Sequence, residues 1–189
     1  MAYRNANYSA FYVDSPFDEK GLGANKTEDF RYYNMLRMWR AGDSSFPFVD
    51  AHEKNYNVRD GSDWELTLKP RLRERIRCSK NLILFLSSVT VDSRALHEEV
   101  DYAINDQGLP VIVVYPGYSE TYELLDPCSG DRLSRGVESL WDRLPIFRDS
   151  MNKVAVLHVP LRKAKIADAL SRSEFTVQQM TEAGNYFFR

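Results

Sequence analysis

Residues 82–115 read LILFLSSVTVDSRALHEEVDYAINDQGLPVIVVY, and this stretch decides the fold class. Two continuous apolar runs, Leu82 to Leu86 and Val111 to Tyr115, flank a segment whose apolar residues recur at helical spacing. Continuous apolar runs are typical of strands that are buried on both faces of a parallel sheet. The stretch therefore predicts a strand, a helix over Ser93 to Asp106, and a second strand that starts after Gly108-Leu109-Pro110.

Three further apolar runs predict strands elsewhere in the chain, at Ala10 to Val13, Phe46 to Val49 and Val154 to Val159. Helical patterns separate these runs, so strands and helices alternate along the chain. We expect an α/β fold, a flavodoxin-like open parallel five-stranded sheet with helices on both faces. The length fits a single domain over residues 1–189, with 117–149 an irregular insertion or long connection that holds one short helix near Val137 to Leu144.

The remaining predicted helices differ in how clearly the sequence marks where they begin and end. Tyr32 to Trp39 is amphipathic, with Thr27 as a suitable N-cap. Trp64 to Ile76 repeats apolar residues every four positions after a Ser62/Glu65 capping box, but Pro70 predicts either a kink or a restart of the helix. Two more helices are expected near the C-terminus, over Leu161 to Ser171 and over Ser173 to Glu182.

Composition excludes several function classes. The chain has 25 Lys and Arg against 27 Asp and Glu, so its net charge of -2 offers no general attraction to nucleic acid or to anionic lipid. No apolar run approaches the roughly 18 residues of a spanning helix, and the N-terminus lacks a signal pattern, so a cytoplasmic location is expected. The histidines and cysteines are scattered without metal-ligand spacing, so no metal site and no bound cofactor are predicted.

Ligands of open parallel sheets bind outside the carboxyl ends of the strands, and polar residues cluster at those positions. The substrate-facing candidates, chosen by position, are Asp14, Ser15 and Phe17 after the first strand, Asp50 after the second, and Ser87 after the third. The segment Ala51 to Asp63 is long and polar, which fits either a loop that closes over the site or docks another subunit, or an ordinary connector. Gly21 to Thr27 resembles only half of a phosphate loop, because Asn25 stands where glycine is needed.

Glu98 and Glu99 follow the third strand on adjacent faces of the predicted helix. At about 100° per residue, Glu99 borders the apolar stripe that contains Leu96, whereas Glu98 points toward water. A carboxylate beside a buried face is where loss of solvent changes its chemistry, although a surface glutamate paired with lysine or arginine fits the same spacing. Glu99 is therefore the carboxylate of interest, and both interpretations stay open on helix geometry alone.

The stretch from Ser87 to Val100 resembles the TIR-like family, which includes the TIR subunits of bacterial Thoeris anti-phage systems. In that family the third strand ends in serine or Gly-Ser, and the next helix carries Ser-x-Trp-x-x-x-Glu followed by Ile or Val. Ser93, Glu99 and Val100 match this motif, while Ala95 stands in place of the usual tryptophan. The resemblance covers roughly Ser9 to Pro116.

The resemblance implies that the protein cleaves the nicotinamide–ribose bond of NAD, with Glu99 in the position of the catalytic glutamate. NAD is then a substrate, and the product is a cyclic or conjugated ADP-ribose messenger that reaches a downstream effector. The aromatic residues Phe17, Trp64 and Tyr115 are candidates to wall a water-excluding pocket, with packing as their alternative role. Two other functions stay open: a non-catalytic TIR-like scaffold whose loops pair copies of the chain, and a nucleoside-processing transferase.

Overall fold

The computed structural model describes residues 4–12, 28–52 and 63–188, and these residues contain a five-stranded sheet. Its strands pair in chain order and every pair is parallel. This arrangement confirms the predicted α/β fold with an open parallel sheet. The strands are β1 (Ala6–Ala10), β2 (Ser79–Phe85), β3 (Val111–Tyr115), β4 (Ala155–Pro160) and β5 (Gly184–Phe187).

Helices cover both faces of this sheet and divide the hydrophobic core into two clusters. On one face α2, α3, α5 and α6 pack on the sheet through residues such as Ile76, Val100 and Phe147, and on the other face α1 and α7 pack through Leu36 and Ile166. The α-helices are α1 (Glu28–Gly42), α2 (Lys69–Arg77), α3 (Arg94–Asp101), α4 (Thr121–Leu124), α5 (Arg135–Trp141), α6 (Pro145–Ser150) and α7 (Lys163–Ser171).

The helix predicted over Ser93 to Asp106 forms as α3, with a π-helical continuation at Tyr102–Asp106. The Ser93 side chain caps it by accepting a hydrogen bond from the backbone N–H of Leu96. Leu96 and Val100 are buried on the sheet side, as their spacing predicts. This helix carries the candidate Glu99.

The predicted strand Phe46 to Val49 is wrong, because only a single bridge joins this segment to β1, between Asp50 and Asn7. Pro47 has no N–H to donate, and the N–H of Phe48 bonds back to the carbonyl of Phe46 at 2.8 Å, which closes a turn. We call residues 46–51 the edge segment. It still lies outside β1, where a flavodoxin-like fold places its second strand.

Two further predictions near the chain ends are corrected. The first strand occupies Ala6–Ala10, so Phe11 and Tyr12 of the predicted strand Ala10 to Val13 lie beyond its end, and Val13 lies outside the described residues. The polar side chains of Asn7 and Ser9 hid the pattern of this strand. The helix expected over Ser173 to Glu182 is only a 3₁₀ turn at Ser173–Phe175. The chain after it forms β5, which completes the sheet beside β4.

Pro70 marks a restart and not a kink. A π-helical turn at Trp64–Leu68 precedes α2, and Pro70 lies in the first turn of α2, where its missing N–H costs little. Asp63 caps the π-helical turn, because its Oδ1 accepts a 2.7 Å hydrogen bond from the N–H of Leu66. Ser62, the predicted cap, lies outside the described residues, as does Thr27.

The connection at 117–149 contains three short helices, α4, α5 and the start of α6, where one was expected. A reciprocal capping box between Glu120 and Glu123 starts α4, and the Ser134 side chain caps α5. Val137 and Phe147 from this region are fully buried, so the connection contributes to the core on the α3 face.

Candidate functional site

The chain changes direction across the sheet between the edge segment and β2. After β1 it runs through α1 to the edge segment on one side, and then returns through α2 to β2 on the other side. This reversal is a topological switch point, where open parallel sheets bind ligands. The side chains that meet there come from β1, the edge segment, α2 and α3.

Glu99 reaches this point from the second turn of α3. Its Oε1 accepts a 2.8 Å hydrogen bond from the hydroxyl of Tyr8, which projects from β1 and is 1% exposed. Burial raises the pKa of Glu99 to about 8, although the bond from Tyr8 and the positive charge of Arg75 oppose the shift. Glu99 is thus a partly buried carboxyl group that exchanges its proton near neutral pH.

His52 packs directly on Tyr8, with 4.7 Å between the ring centroids. Its Nε2 lies 3.0 Å from the carbonyl oxygen of Ser9, which can only accept, so Nε2 carries the proton. Its Nδ1 faces Nη1 of Arg75 at 3.4 Å. Burial is the main cause that lowers the pKa of His52 to about 4, so the ring is neutral at physiological pH and cannot serve as a charged acid.

Asp50 lies two residues before His52 and is held by the aromatic cluster around it. Its Oδ2 accepts from the Tyr33 hydroxyl at 2.7 Å and lies 3.7 Å from Nε of Arg37, and its Oδ1 accepts from the His52 N–H at 2.9 Å. The Tyr33 ring contacts the His52 ring, with centroids 5.5 Å apart. The structure therefore links Asp50 to Glu99 through Tyr33, His52 and Tyr8.

Ser87 lies at the end of β2 but its hydroxyl points to α1. It donates to Oδ1 of the buried Asp29 at 2.9 Å, while the hydroxyl of Thr90 donates to Oδ2 at 2.8 Å. The N–H of Ser87 also bonds to Thr90. Ser87 thus joins the β2–α3 connection to the N-terminal turn of α1, and its role toward a substrate stays a prediction.

Glu98 does not face water as predicted. Its carboxylate pairs with Arg73 at 2.6 Å and with Lys69 at 3.1 Å, and its side chain is 14% exposed. The correction has a simple cause: α2 packs beside α3 and brings its cations over the face that an isolated helix would leave to solvent. The alternative of a glutamate paired with lysine or arginine therefore applies to Glu98, whereas Glu99 accepts a hydrogen bond from the phenol of Tyr8.

The other predicted site residues fall in two groups. Asp14, Ser15 and Phe17 lie outside the described residues, together with most of the loop Ala51 to Asp63 and all of Gly21 to Thr27. Trp64 packs under the guanidinium of Arg94, 4.8 Å from the ring centroid. Tyr115 is fully buried and bonded to His158 and Trp141, so its role is packing and not the wall of an open pocket.

Sequence reasoning missed Tyr8, His52 and Arg75 as neighbours of Glu99. Tyr8 was missed because the first strand was placed several residues too late. His52 lies two residues after Asp50, directly after the edge segment, and that position could have been used as a signal. Arg75 precedes the buried Ile76 on α2, but no pattern in the chain shows that α2 lies next to Glu99.

Residues 4–12, 28–52 and 63–188 contain neither a metal-binding cluster nor a membrane-spanning helix. No group of three or more His, Cys, Asp or Glu side chains in these ranges is arranged to hold a metal ion. None of the helices described in the same ranges combines the length and hydrophobicity that a bilayer-crossing helix requires.

A family model described as Thoeris protein ThsB, TIR-like domain, matches residues 8–121, which is more than half of the 189-residue chain. The matched span contains Tyr8, Asp50, His52, Arg75 and Glu99, so the site at the switch point lies within it. The parallel sheet and the helix that follows β2 agree with the resemblance drawn from Ser93, Glu99 and Val100. The chain belongs to the family of Thoeris ThsB TIR-like domains.

Proposed function

We propose that this protein is an NAD-consuming signalling enzyme of bacterial anti-phage immunity. Membership of the Thoeris family supports a role in anti-phage defence signalling. The observation that carries the enzymatic part is the carboxyl group of Glu99, held at the switch point by Tyr8 and partly removed from water. This environment is that of a functional carboxylate rather than of a surface ion pair.

The reaction breaks the bond between C1′ of the ribose and the nicotinamide nitrogen, and both bonding electrons leave with nicotinamide. Because the ring is cationic in NAD, it departs as a neutral molecule and needs no proton. A single carboxylate then suffices to stabilise the oxocarbenium-like transition state and to orient the ribose hydroxyls. Glu99 acts in its ionised form, which the cationic ring of bound NAD favours over the neutral form.

The product depends on what captures C1′. Water gives linear ADP-ribose and a proton, whereas a nucleophile on the adenine–ribose half, or an added acceptor, gives a cyclic or conjugated ADP-ribose. We favour the second outcome, a messenger that acts on a downstream effector in the cytoplasm. It requires that water be excluded from the site.

The proposed substrate-facing residues are Asp14, Ser15, Phe17, Asp50 and Ser87. The loops at this edge are candidates for contact between copies of the chain.

A non-catalytic scaffold is the second candidate function, and one observation favours it. Ala95 stands on α3 where the family usually has tryptophan, so an aromatic ring that helps to wall the substrate pocket is missing. A scaffold would assemble through its loops and would release no nicotinamide. The same assay therefore distinguishes the two functions.

The test is to incubate the purified protein with NAD, with and without lysate of phage-infected cells, and to measure free nicotinamide. We expect Glu99→Gln to abolish release and Glu98→Gln, the matched control on the same helix turn, to retain it. Mass spectrometry identifies the product, because cyclisation yields a species one water lighter than ADP-ribose. Equal activity of wild type and Glu99→Gln would contradict the assignment, and linear ADP-ribose alone would make the protein an NAD-depleting hydrolase.

A further inference from the structure

The structure assigns a second residue to the candidate site, and this inference rests on the proposed function of Glu99. We propose that Tyr8 is a positioning residue for Glu99: its phenol holds Oε1 of the carboxylate and directs Oε2 toward the ribose of the substrate. The direct observation is the 2.8 Å hydrogen bond from the Tyr8 hydroxyl to Oε1. Tyr8 does not react in this scheme, since it acts only through Glu99.

Toward the ionised carboxylate of Glu99 the phenol can only act as the donor. Burial and the neighbouring Glu99 raise the pKa of Tyr8 far above its usual value of 10.0, so its hydroxyl keeps its proton at every pH the protein meets. A carboxylate that receives such a bond is stabilised relative to its neutral form. Tyr8 therefore fixes the position of one oxygen and also favours the charged state that the chemistry requires.

The Tyr8 ring is itself held on its other side. His52 packs on it with a 4.7 Å centroid separation, and the imidazole is fixed at Nε2 by the carbonyl of Ser9 and at Nδ1 by Arg75. Because the imidazole is neutral, it supports the Tyr8 ring without adding a positive charge that would compete with the Tyr8 hydroxyl for the Glu99 carboxylate. A carboxylate that is positioned by a rigid aromatic pair loses little freedom when the transition state forms, and this is the advantage of preorganisation.

Tyr8→Phe tests the bond, because it removes the hydroxyl and keeps the ring against His52. Tyr33→Phe is the matched control for the titration: it removes the equivalent bond to another carboxylate, Asp50. NMR titration of protein labelled with ¹³C at glutamate carboxyl groups, with Glu99→Gln for assignment, measures the pKa of Glu99 without any substrate. We expect Tyr8→Phe to raise this pKa by about 1 and Tyr33→Phe to leave it unchanged.

The kinetic measurement separates positioning from a structural role. A pKa raised by about 1 lowers the ionised fraction of Glu99 in the free protein about tenfold at pH 7, so kcat/KM for nicotinamide release falls by that factor. At pH 9.5 to 10 most of kcat/KM returns, whereas a damaged fold would lose the same fraction at every pH. A melting temperature close to wild type checks that Tyr8→Phe is folded.

The outcomes are distinct. An unchanged Glu99 pKa in Tyr8→Phe, or a loss of kcat/KM that does not depend on pH, overturns the inference. If the wild-type protein releases no nicotinamide under any condition, the proposed function fails and the substrate part of this inference fails with it. In that case a shifted Glu99 titration still establishes Tyr8 as the group that holds and tunes the carboxyl.

Discussion

At the scale of single residues, two adjacent glutamates on α3 have opposite environments. Glu98 lies among the cations of α2 and forms ion pairs with Arg73 and Lys69. Glu99, about 100° further round the helix, lies against the phenol of Tyr8 and is shielded from water. The ion pairs occupy the carboxylate of Glu98, whereas burial beside a neutral donor leaves Glu99 able to change its charge when a cationic substrate binds.

The pH dependence of NAD cleavage is predicted from Glu99. Its pKa is raised to about 8, so in the free protein the reactive ionised form is the minority at pH 7 and becomes the majority above pH 8. We expect kcat/KM to rise about tenfold between pH 6.5 and 8 and to level off near pH 9. Initial rates of nicotinamide release in buffers of constant ionic strength measure it; a profile that is flat from pH 6 to 9 would show that Glu99 is already ionised.

At the scale of elements, the edge segment is held at the sheet by two backbone hydrogen bonds to Asn7 and by the Asn7 side chain, without a full strand ladder. Asn7 of β1 accepts from the N–H of Val49 through Oδ1 at 2.8 Å and donates through Nδ2 to Asn81 of β2 at 2.8 Å. Asn81 in turn donates to the carbonyl of Phe175 at 3.0 Å. One buried asparagine thus connects the edge segment, which carries Asp50 and leads into His52, to the centre of the sheet.

Substitution of Asn7 tests this connection. Asn7→Ala leaves the N–H of Val49 and the Oδ1 atom of Asn81 without this partner, and buried unpaired groups cost about 1–3 kcal/mol each. We expect a loss of roughly 2–4 kcal/mol in the free energy of unfolding, measured by urea denaturation. The matched control is Asn105→Ala, because Asn105 also bonds to side chains on two elements but is exposed. Equal losses in both variants would contradict a special role for Asn7.

At the scale of the whole molecule, two buried histidines and Glu99 change the stability of the fold with pH in opposite directions. Burial lowers the pKa of His52 and of His158 to about 4, so the fold favours their neutral forms. Their contribution to stability is complete above about pH 6.5 and is lost as the pH falls toward 4. Glu99 has the opposite sign, because its folded pKa of about 8 exceeds the usual glutamate pKa of 4.5, and stability falls as the pH rises between these values.

These signs predict a maximum of stability near pH 6.5. From pH 4.5 to 6.5 the two histidines outweigh Glu99, so stability rises. From pH 6.5 to 8 only Glu99 of these three groups titrates, so stability falls by about 2 kcal/mol, or roughly 5 °C in melting temperature. Glu99→Gln should remove the alkaline decline and keep the acid one. Calorimetric melting temperatures from pH 5 to 9 measure both; an alkaline decline that persists in Glu99→Gln would show that another group causes it.

The sequence by itself determined the fold class, the helix α3 and the position of Glu99 beside a buried face. These follow from local rules: continuous apolar runs for β2, β3 and β4, a stripe at helical spacing from Leu96 to Ile104, and about 100° per residue. Polar residues concealed β1, and the apolar residues around Pro47 made the edge segment look like a strand although the proline, which lacks an N–H, does not support a full ladder.

Only the tertiary structure decided which groups surround the two glutamates. Tyr8 and Glu99 are 91 positions apart, and Arg73 and Glu98 are 25 positions apart, so no local pattern pairs them. Both pairings arise because β1 lies beside β2 and α2 packs beside α3 on the same face of the sheet. Desolvation and hydrogen bonding depend on those neighbours, and the chemistry of Glu99 is therefore a property of the packed fold and not of the motif that contains it.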